Sequence, residues 1–594
     1  MVRFEVIGMV SAALFLATPV HAYEAEPETQ SAPLECPAKT ELASEGRVYW
    51  CQRAKGGTDR RHGPWLELYR DGQVKAQGRF RWGSREGRYV EYGISGQLLV
   101  DGQFRADREV GVWKTWHDNG SVASGGEYID GRREGDWEFR FADSSVQALG
   151  PYRADARHGD WEEWTDLGER SVGRYRSGEK DGVWTKWNSD GQMVESGSFA
   201  NGKPMGLWTH WFDTGGTSSI GTLKHGLKSG QWSEFYESGA MRERGGYAGG
   251  MRTGPWAFFD ERGRVVSEGA FDAGRRTGKW TEYHSDGVIA AQGAYVDGER
   301  QGLWTRYHDS GELHEEGMYA EGKRNGRWIE RHPDGSDAAA TEYADGRRTG
   351  DAGRWYASGN KEFEGHYEDN APTGPWTWWY DGGEVRETGA YDDMGRKVGT
   401  WVTFHANGAK ASEGTWVEGE RHGSWNAWYS DGRRQTRTTY TSGVPNGQFE
   451  SWFADGQRHE KGAYATGERE GSWTVWHETG ETKEEGTYRA GARDGDWTFY
   501  FDNGAMEQSG RYAAGREQGL WSYGFENSTT WMKGEFIDGS RVGEWRTWYD
   551  DGTPESIGQF VAGRRSGTWS FWLPNGVGDT ARTGSYDGFE RVGP

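Results

Sequence analysis

Aromatic and glycine positions recur along most of the chain with a fixed period. A Gly-x-Trp triplet at Gly63-Pro64-Trp65 returns at Gly111-Val112-Trp113 and continues to Gly567-Thr568-Trp569. We number the third residue of each triplet 0 and call it the anchor. There are 22 anchors, and the spacing is 24 residues except for one of 23 (161 to 184) and one of 25 (376 to 401). Such a period indicates a repeat architecture rather than several globular domains. Nineteen anchors are Trp, and the exceptions are Tyr89, Ala352 and Phe449.

Each repeat carries the pattern of a β-hairpin. Position +7 is Gly in 20 copies, often after Asp or Asn, and aromatic residues flank it. Asp-Gly or Asn-Gly between two aromatic segments is a strong hairpin signal. We place a two-residue turn at +6 and +7, so that the anchor opposes Gly at +13, position −2 opposes +15, and +4 opposes +9. A turn of four residues is the alternative.

The alternation of side chains along a strand then assigns the faces of the sheet. Positions 0, +4, +9 and +15 are predicted to share one face, the packed face, where large rings cover bare glycines. Position +3 points to the other face, opposite +10.

Single hairpins are marginal, and stacked hairpins cover the edges of their neighbours. The predicted fold is therefore all-β: an elongated single-sheet solenoid of about 22 tandem 24-residue β-hairpin repeats over residues 61–594. At ~9.6 Å per repeat the ribbon would be roughly 200 Å long. The pattern is irregular at 337–352 and at 528–531. We interpret these sites as bends or as tolerated loss of the pattern, and favour the second.

Composition supports a sheet built on aromatic rings. Hydrophobic residues make up 34% of the 594, while Gly contributes 95 and Trp 35. Aromatic residues supply 14% of the chain, a large part of that hydrophobic share, which argues against several thick aliphatic cores. The net charge of −22 argues against a non-specific nucleic-acid binder.

The first 60 residues differ from the rest. The apolar run 6–20 is short for a membrane span and is followed by Val20-His21-Ala22. This combination predicts a secretory signal peptide over 1–22 and no transmembrane segment. We interpret 23–60 as a linker and an N-terminal cap. In an exported chain the pair Cys36 and Cys51 predicts a disulfide, with two unpaired thiols as the alternative. The expected location is the periplasm, the cell envelope or the exterior.

The repeat resembles a known family. Gly293-Ala294-Tyr295-Val296-Asp297-Gly298 leading to Gly302-Leu303-Trp304 is similar to the MORN repeat, most of all to the bacterial variant of YwqK-family antitoxin-like repeats. The resemblance implies an elongated sheet of β-hairpins and a role in protein–protein scaffolding, with membrane-lipid contact in some members. An antitoxin or immunity role is a remote alternative, because an exported protein meets a cytoplasmic toxin only before export.

No motif predicts catalysis, a metal site or a cofactor. The chain lacks G-x-S-x-G, H-E-x-x-H, C-x-x-C and P-loop signatures. Turn aspartates are explained by turn chemistry rather than by calcium. Equivalent positions of adjacent repeats lie ~9.6 Å apart, too far to share one zinc ion. We therefore interpret histidines at +4 as substitutes for Tyr: His117, His284, His308, His332, His405 and His477.

Two columns are candidate binding surfaces. Position +3 is aromatic in 18 of 22 repeats, and we call this column the ridge. Rows of rings among polar residues suit protein partners or sugars, although packing against the same sheet or a second copy is an alternative. Position −4 is basic in 17 of 22 repeats, as at Arg252, Arg276, Arg300 and Arg324, which suggests contact with phosphate head groups or, alternatively, cation–π stacking on the anchor. The predicted ridge tryptophans are Trp116, Trp164, Trp187, Trp211, Trp379, Trp428, Trp452, Trp476, Trp548 and Trp572.

The predicted function is that of a non-enzymatic exported scaffold that binds a protein partner through the ridge. The alternative is a cell-envelope module for lipid head groups or wall glycan.

Overall fold

The computed structural model describes residues 34–53 and 61–594. The predicted signal peptide and most of the predicted linker lie outside the described residues. All regular elements of the described ranges are β-strands. No helix in this part of the chain is long and apolar enough to cross a membrane.

The chain divides into two compact units, one reaching Met251 and including Glu261–Gly263, the other formed by Arg252–Asp260 and Arg264–Pro594. The strands of the first unit are β1 Thr40–Glu45, β2 Val48–Arg53, β3 Arg61–Leu68, β4 Val74–Arg81, β5 Ser84–Arg85, β6 Gly87–Tyr92, β7 Leu98–Arg105, β8 Arg108–Trp116, β9 Val122–Ile129, β10 Arg132–Arg140, β11 Val146–Arg153, β12 Ala156–Arg157, β13 Gly159–Trp164, β14 Arg170–Arg176, β15 Glu179–Trp187, β16 Met193–Ala200, β17 Lys203–Trp211, β18 Thr217–Lys224, β19 Leu227–Phe235 and β20 Met241–Ala248.

The second unit takes all but the first residue of β21. Its strands are β21 Met251–Phe259, β22 Val265–Asp272, β23 Arg275–Tyr283, β24 Ile289–Val296, β25 Glu299–Tyr307, β26 Leu313–Ala320, β27 Lys323–Arg331, β28 Asp337–Ala344, β29 Arg347–Trp355, β30 Lys361–Glu368, β31 Ala371–Trp379, β32 Val385–Tyr391, β33 Lys397–Phe404, β34 Lys410–Val417, β35 Glu420–Trp428, β36 Arg434–Thr441, β37 Val444–Trp452, β38 Arg458–Ala465, β39 Glu468–Trp476, β40 Thr482–Arg489, β41 Ala492–Arg493, β42 Gly495–Tyr500, β43 Met506–Ala513, β44 Arg516–Gly524, β45 Thr530–Ile537, β46 Ser540–Trp548, β47 Pro554–Val561, β48 Arg564–Phe571, β49 Gly584–Asp587 and β50 Glu590–Gly593.

Within each unit the strands form an antiparallel sheet in chain order. In the second unit β23 pairs with β24 inside one repeat, and β24 pairs with β25 across the repeat boundary. The first unit shows the same order from β13 through β14, β15 and β16. The predicted all-β sheet of tandem hairpin repeats is therefore confirmed.

The register confirms part of the predicted hairpin and corrects its turn. Trp280 pairs with Gly293 and Gly278 with Tyr295, as predicted for 0/+13 and −2/+15. The two-residue turn is wrong. The His284 N–H donates to the Val288 carbonyl, and the Gly287 N–H donates to the His284 carbonyl, so the loop between these two residues has three residues, +5 to +7, and the four-residue alternative is wrong as well. Gly287 has φ of 91°, the left-handed conformation that closes such a turn with a bulge.

This turn also changes the face assignment. Tyr283 at +3 pairs with Ile289 at +9, and the register shifts by one residue before Glu282 pairs with Ala291. Position +9 therefore lies on the face of +3, and the prediction that it opposes +4 on the packed face is wrong. Position +10 lies beside +4 instead of opposite +3, as the His308 and His314 rings show with centroids 4.3 Å apart.

The two exceptional spacings have local explanations. The 23-residue repeat pairs from Trp161↔Gly173 to Trp164↔Arg170 without a register shift, so it lacks the extra residue of the bulge. The 25-residue repeat has a longer turn between β32 and β33, where the Asp392 N–H donates to the Arg396 carbonyl. Insertions and deletions are thus absorbed in turns and bulges, while the anchors stay aligned.

The anchor tryptophans fill the packed face, and from Trp113 onward most of them cover a glycine of the preceding repeat. Trp280 is fully buried. Its ring lies on Gly269, not on its backbone partner Gly293, and its indole N–H donates to the Ala270 carbonyl at 3.0 Å. The prediction that rings cover bare glycines is correct, but the covered glycine belongs to the repeat before.

Tyrosine at +15 and aromatic residues at +2 complete the packed face. Tyr295 stands edge-on between Trp280 and Trp304, with ring centroids 6.0 and 5.2 Å away. In the first unit Phe139 at +2 stacks on Trp137 at 5.9 Å and on Trp161 at 6.3 Å. The +2 column is not evident from the sequence, because only some repeats place an aromatic residue there.

The repeat that lacks an anchor indole carries compensating residues. Ala352 follows Thr341, which stands at +13 where most repeats have Gly. Because Ala352 has no ring to cover position 341, the side chain of Thr341 fits there. Phe363 at +11 stacks on Trp376 at 5.5 Å. Near 528 the turn is kept, because Ser528 itself adopts the left-handed conformation with φ of 68°. Both irregular sites thus keep the hairpin.

A small cap precedes the repeats in the first unit. Cys36 and Cys51 form a disulfide. Strand β1 pairs with β2, and β2 pairs with β3, which carries the first anchor, Trp65.

Candidate interaction face

The ridge lies on the face of the sheet opposite the anchors, which we call the outer face. It is less buried than the anchors, as predicted: Trp304 is 2% exposed, whereas the ridge tryptophans are half-buried. The half-buried set comprises Trp116, Trp164, Trp187, Trp211, Trp379, Trp428, Trp452, Trp476, Trp548 and Trp572.

Cations from position +9 cover several ridge rings. The Lys410 ammonium lies 5.6 Å from the ring centroid of Trp428 and pairs with Glu413 at 2.9 Å. Arg434 lies 5.3 Å from the Trp452 ring. Each cation belongs to the repeat before the ring that it covers, so the outer face also links neighbouring repeats. These rings therefore lie beside fixed charges.

Two of the ridge tyrosines are held by carboxylates. The Tyr283 hydroxyl donates to Glu268 at 2.8 Å, and the Tyr500 hydroxyl donates to Glu485 at 2.9 Å. Both acceptors stand at +12 of the preceding repeat. The ridge thus has a polar border, as is common at protein interfaces.

Exposed aliphatic side chains share this face at position −1. Leu303 is 55% exposed and pairs across the ladder with Met318, which is 47% exposed. The outer face thus offers both aromatic and aliphatic contact area. The other exposed members at −1 are Val112, Val183, Leu207 and Leu520.

The basic column at −4 lies over the anchors. The Arg276 guanidinium is 4.2 Å from the Trp280 ring centroid, and that of Arg300 is 4.4 Å from Trp304. Burial opposes the charge of Arg300, but hydrogen bonds to Tyr295 and Tyr319 outweigh it, so its pKa lies above the ordinary value. This is the geometry of the cation–π alternative, and contact with an anion stays a prediction. Arg252 and Arg324 lie 4.3 and 4.1 Å from their anchor rings.

The histidines at +4 connect successive hairpins. Nε2 of His308 lies 3.0 Å from the carbonyl of Arg331, at +3 of the next repeat, and a carbonyl only accepts, so this nitrogen donates. The Tyr356 hydroxyl makes the same bond to the Trp379 carbonyl. The geometry matches the interpretation of His as a substitute for Tyr, and the described residues contain no grouping of three metal-ligating side chains. The same bond is made by His117, His284, His332, His405 and His477.

Two concave sites interrupt the outer face, each at an irregular repeat. In the second unit a groove of about 760 Å³ is lined by Trp355 in the repeat of Ala352. In the first unit a groove of about 360 Å³ is lined by Trp187 beside the 23-residue repeat. Sequence analysis found neither, because Gly353 and the lost bulge are single-residue changes in a long array.

Comparison with known proteins supports the repeat type. The model of the MORN repeat variant family matches residues 276–297, 300–321, 469–490 and 541–562. No curated protein matches the chain. A chain of the Photorhabdus luminescens Tc holotoxin pore is similar over 87% of this chain and 31% of its own length, with 8% identity and a TM-score of 0.11. The chain thus spans about a third of that protein, and this likeness carries no functional argument. The four family matches show that the chain contains MORN-type repeats.

Proposed function

We propose that this protein is a non-enzymatic scaffold that binds a protein partner through the ridge and the aliphatic residues beside it. The observation that carries the proposal is the combination of half-buried rings and exposed side chains such as Leu303 and Leu520 on one face. Contact area of this kind with a polar border suits protein partners. The opposite face is filled by the chain's own anchors.

We further propose that the chain acts outside the cytoplasm. The Cys36–Cys51 disulfide supports this, since such bonds persist in oxidising compartments. The predicted signal peptide over 1–22 agrees with it. Expression of the full chain followed by N-terminal sequencing of the exported fraction tests the proposal, and retention of residue 1 in the cytoplasmic fraction would contradict it.

A comparison of variants tests the binding role. The full chain and a variant with Trp428→Ala, Trp452→Ala and Trp476→Ala are used as baits in an envelope extract, and the captured protein is purified and titrated directly. We expect one stoichiometric partner whose affinity the triple change weakens at least about tenfold. The matched control, Leu167→Ala with Met394→Ala, removes exposed apolar side chains from turns and should bind normally. Equal affinity for all three baits, or capture of lipid or wall glycan alone, would contradict the proposal.

A further inference from the structure

The groove beside Trp355 differs from the rest of the outer face in its floor. Position +1 is Gly only here among the 22 repeats, whereas seven repeats place Thr there. A Cβ atom at Gly353 would lie 3.0 Å from Cη2 of Trp355. The indole ring of Trp355 therefore lies over Gly353 of the same strand. Gly353, which lacks a side chain, and the ring of Trp355 together line a groove of about 760 Å³ in the second unit.

The border of this groove is polar and carries both charges. Lys361 pairs with Glu364 at 2.6 Å, and Nδ1 of His366 lies 3.0 Å from Asp351. Arg327 and Glu342 also line the groove. An aromatic wall with several polar groups around it is the composition of a small-ligand site rather than of a flat protein contact.

The charges restrict the ligand. Three carboxylates line the groove, and the chain carries a net charge of −22, so an anionic polymer is repelled. Arg327 and Lys361 at the same border disfavour a basic peptide. A neutral molecule with one apolar face and many hydroxyl groups satisfies both conditions, because its apolar face contacts the ring and its hydroxyls bond to the border.

We infer that the groove binds a pyranose ring of a neutral glycan, stacked on Trp355. The ligand class covers hexose and N-acetylhexosamine oligomers. The inference stands independently of the proposed protein partner, since it concerns one irregular repeat rather than the length of the ridge.

Isothermal titration of the full chain with cellotetraose and with chitotetraose tests the site, and a tetramer of galacturonic acid serves as the anionic probe. We expect at least one neutral probe to bind, and the anionic probe to bind at least about tenfold more weakly. Trp355→Ala should weaken binding about tenfold or more. Trp428→Ala, a ridge tryptophan in a regular repeat, is the matched control and should bind like the wild-type chain.

Gly353→Thr is a second variant, and it keeps Trp355 and all polar residues at the border of the groove. It installs the commonest +1 residue, fills the floor and should also abolish binding, while near-UV circular dichroism reports that the fold is kept. Absence of heat with both neutral probes at millimolar concentration, an equal loss in Trp428→Ala, or tighter binding of the anionic probe would each overturn the inference.

Discussion

At the scale of single residues, the packed face is governed by a pairing between each Trp and the glycine that it covers. The +13 position is Thr at Thr341 and Thr438, and the anchors that follow are Ala352 and Phe449 instead of Trp. The third exception, Tyr89, follows Gly78, whose nearest ring is Trp65 of its own repeat, while the other internal copies place a bare glycine before a Trp. The correlation is visible in the sequence, but the predicted register assigned the ring to the wrong glycine. Ring placement depends on the register shift between adjacent repeats, where Glu268 pairs with Thr281 but Ala270 pairs with Thr277, and no hydrophobic pattern reports this shift.

Gly293→Thr should be strongly destabilising. A Cβ at Gly293 would lie well inside van der Waals contact with the ring of Trp304. Overpacking of this kind costs ~1–3 kcal/mol in the free energy of unfolding, measured by urea denaturation. The matched change Thr438→Gly should cost less, because Phe449 follows it. Similar losses for both would refute the pairing.

The pairing also predicts a rescue. Ala352→Trp alone should destabilise, because Thr341 occupies the space of the new ring. Combined with Thr341→Gly, it should be better tolerated than the sum of the two single changes, with a favourable coupling of ~0.5–3 kcal/mol in a double-mutant cycle. Additive effects would show that the two positions do not meet.

The two aromatic columns should differ in their contribution to stability. Trp304→Ala removes a buried ring and should cost ~3–5 kcal/mol. Trp452→Ala removes a half-buried ring and should cost clearly less. Thermal unfolding of the two variants measures the difference, and equal shifts in melting temperature would count against the faces assigned here.

At the scale of the hairpin, the repeat length and the pairing of the two strands near the anchor could be predicted from the sequence, but the turn could not. The period of 24 residues and the 0/+13 pair follow from the columns of Trp and Gly. The observed three-residue loop depends on the left-handed glycine at +7, whose φ the sequence does not report. Because the predicted register was wrong by one residue in this part of the hairpin, it placed +9 and +10 on the wrong faces. It therefore did not show that cations at +9 lie over the ridge.

Ser528 gives a direct test of this turn. Because a side chain is strained in the left-handed conformation, Ser528→Gly should stabilise the protein by about 1 kcal/mol. Ser144, with φ of 72°, is the matched site in the first unit and should respond alike. Chemical denaturation measures both, and a loss of stability at both sites would contradict the turn.

At the scale of the whole chain, stability is distributed over contacts between adjacent repeats. The anchor ring, the +4 hydrogen bond and the +9 cation each join one repeat to its neighbour. Nothing in the motif of a single repeat shows these three connections, because each joins residues of two different repeats. Repeat proteins of this kind unfold locally rather than all at once.

Hydrogen exchange should reveal this locality. In Trp304→Ala we expect faster amide exchange in strands β24 to β26, and unchanged exchange in strands β37 to β40 of the same unit. A uniform increase along the unit would indicate cooperative unfolding instead.

Alkaline pH should weaken both units. Burial raises the pKa of Tyr89 to about 12, with a further contribution from Glu91, and burial likewise raises the pKa of Tyr523 to about 12. The ordinary value is 10.0, so the folded chain holds these protons longer than the unfolded chain. Stability from these groups is therefore complete below pH ~10 and falls as the pH rises to ~12. Tyr523→Phe should reduce this fall, as urea midpoints at pH 9 and 11 would show.

Most anchor rings lie over a glycine of the preceding repeat, and this arrangement affects how the repeat array can evolve. When one 24-residue period is duplicated or lost in frame, a covered glycine is still followed eleven residues later by the Trp that covers it. This holds wherever the breakpoints fall within the repeat. A substitution at one anchor, in contrast, would leave an uncovered glycine eleven residues earlier, and before Ala352 that position carries Thr341 instead of glycine. Lineages of this protein should therefore vary readily in repeat number, while exchanges at an anchor should be accompanied by a second exchange in the neighbouring repeat.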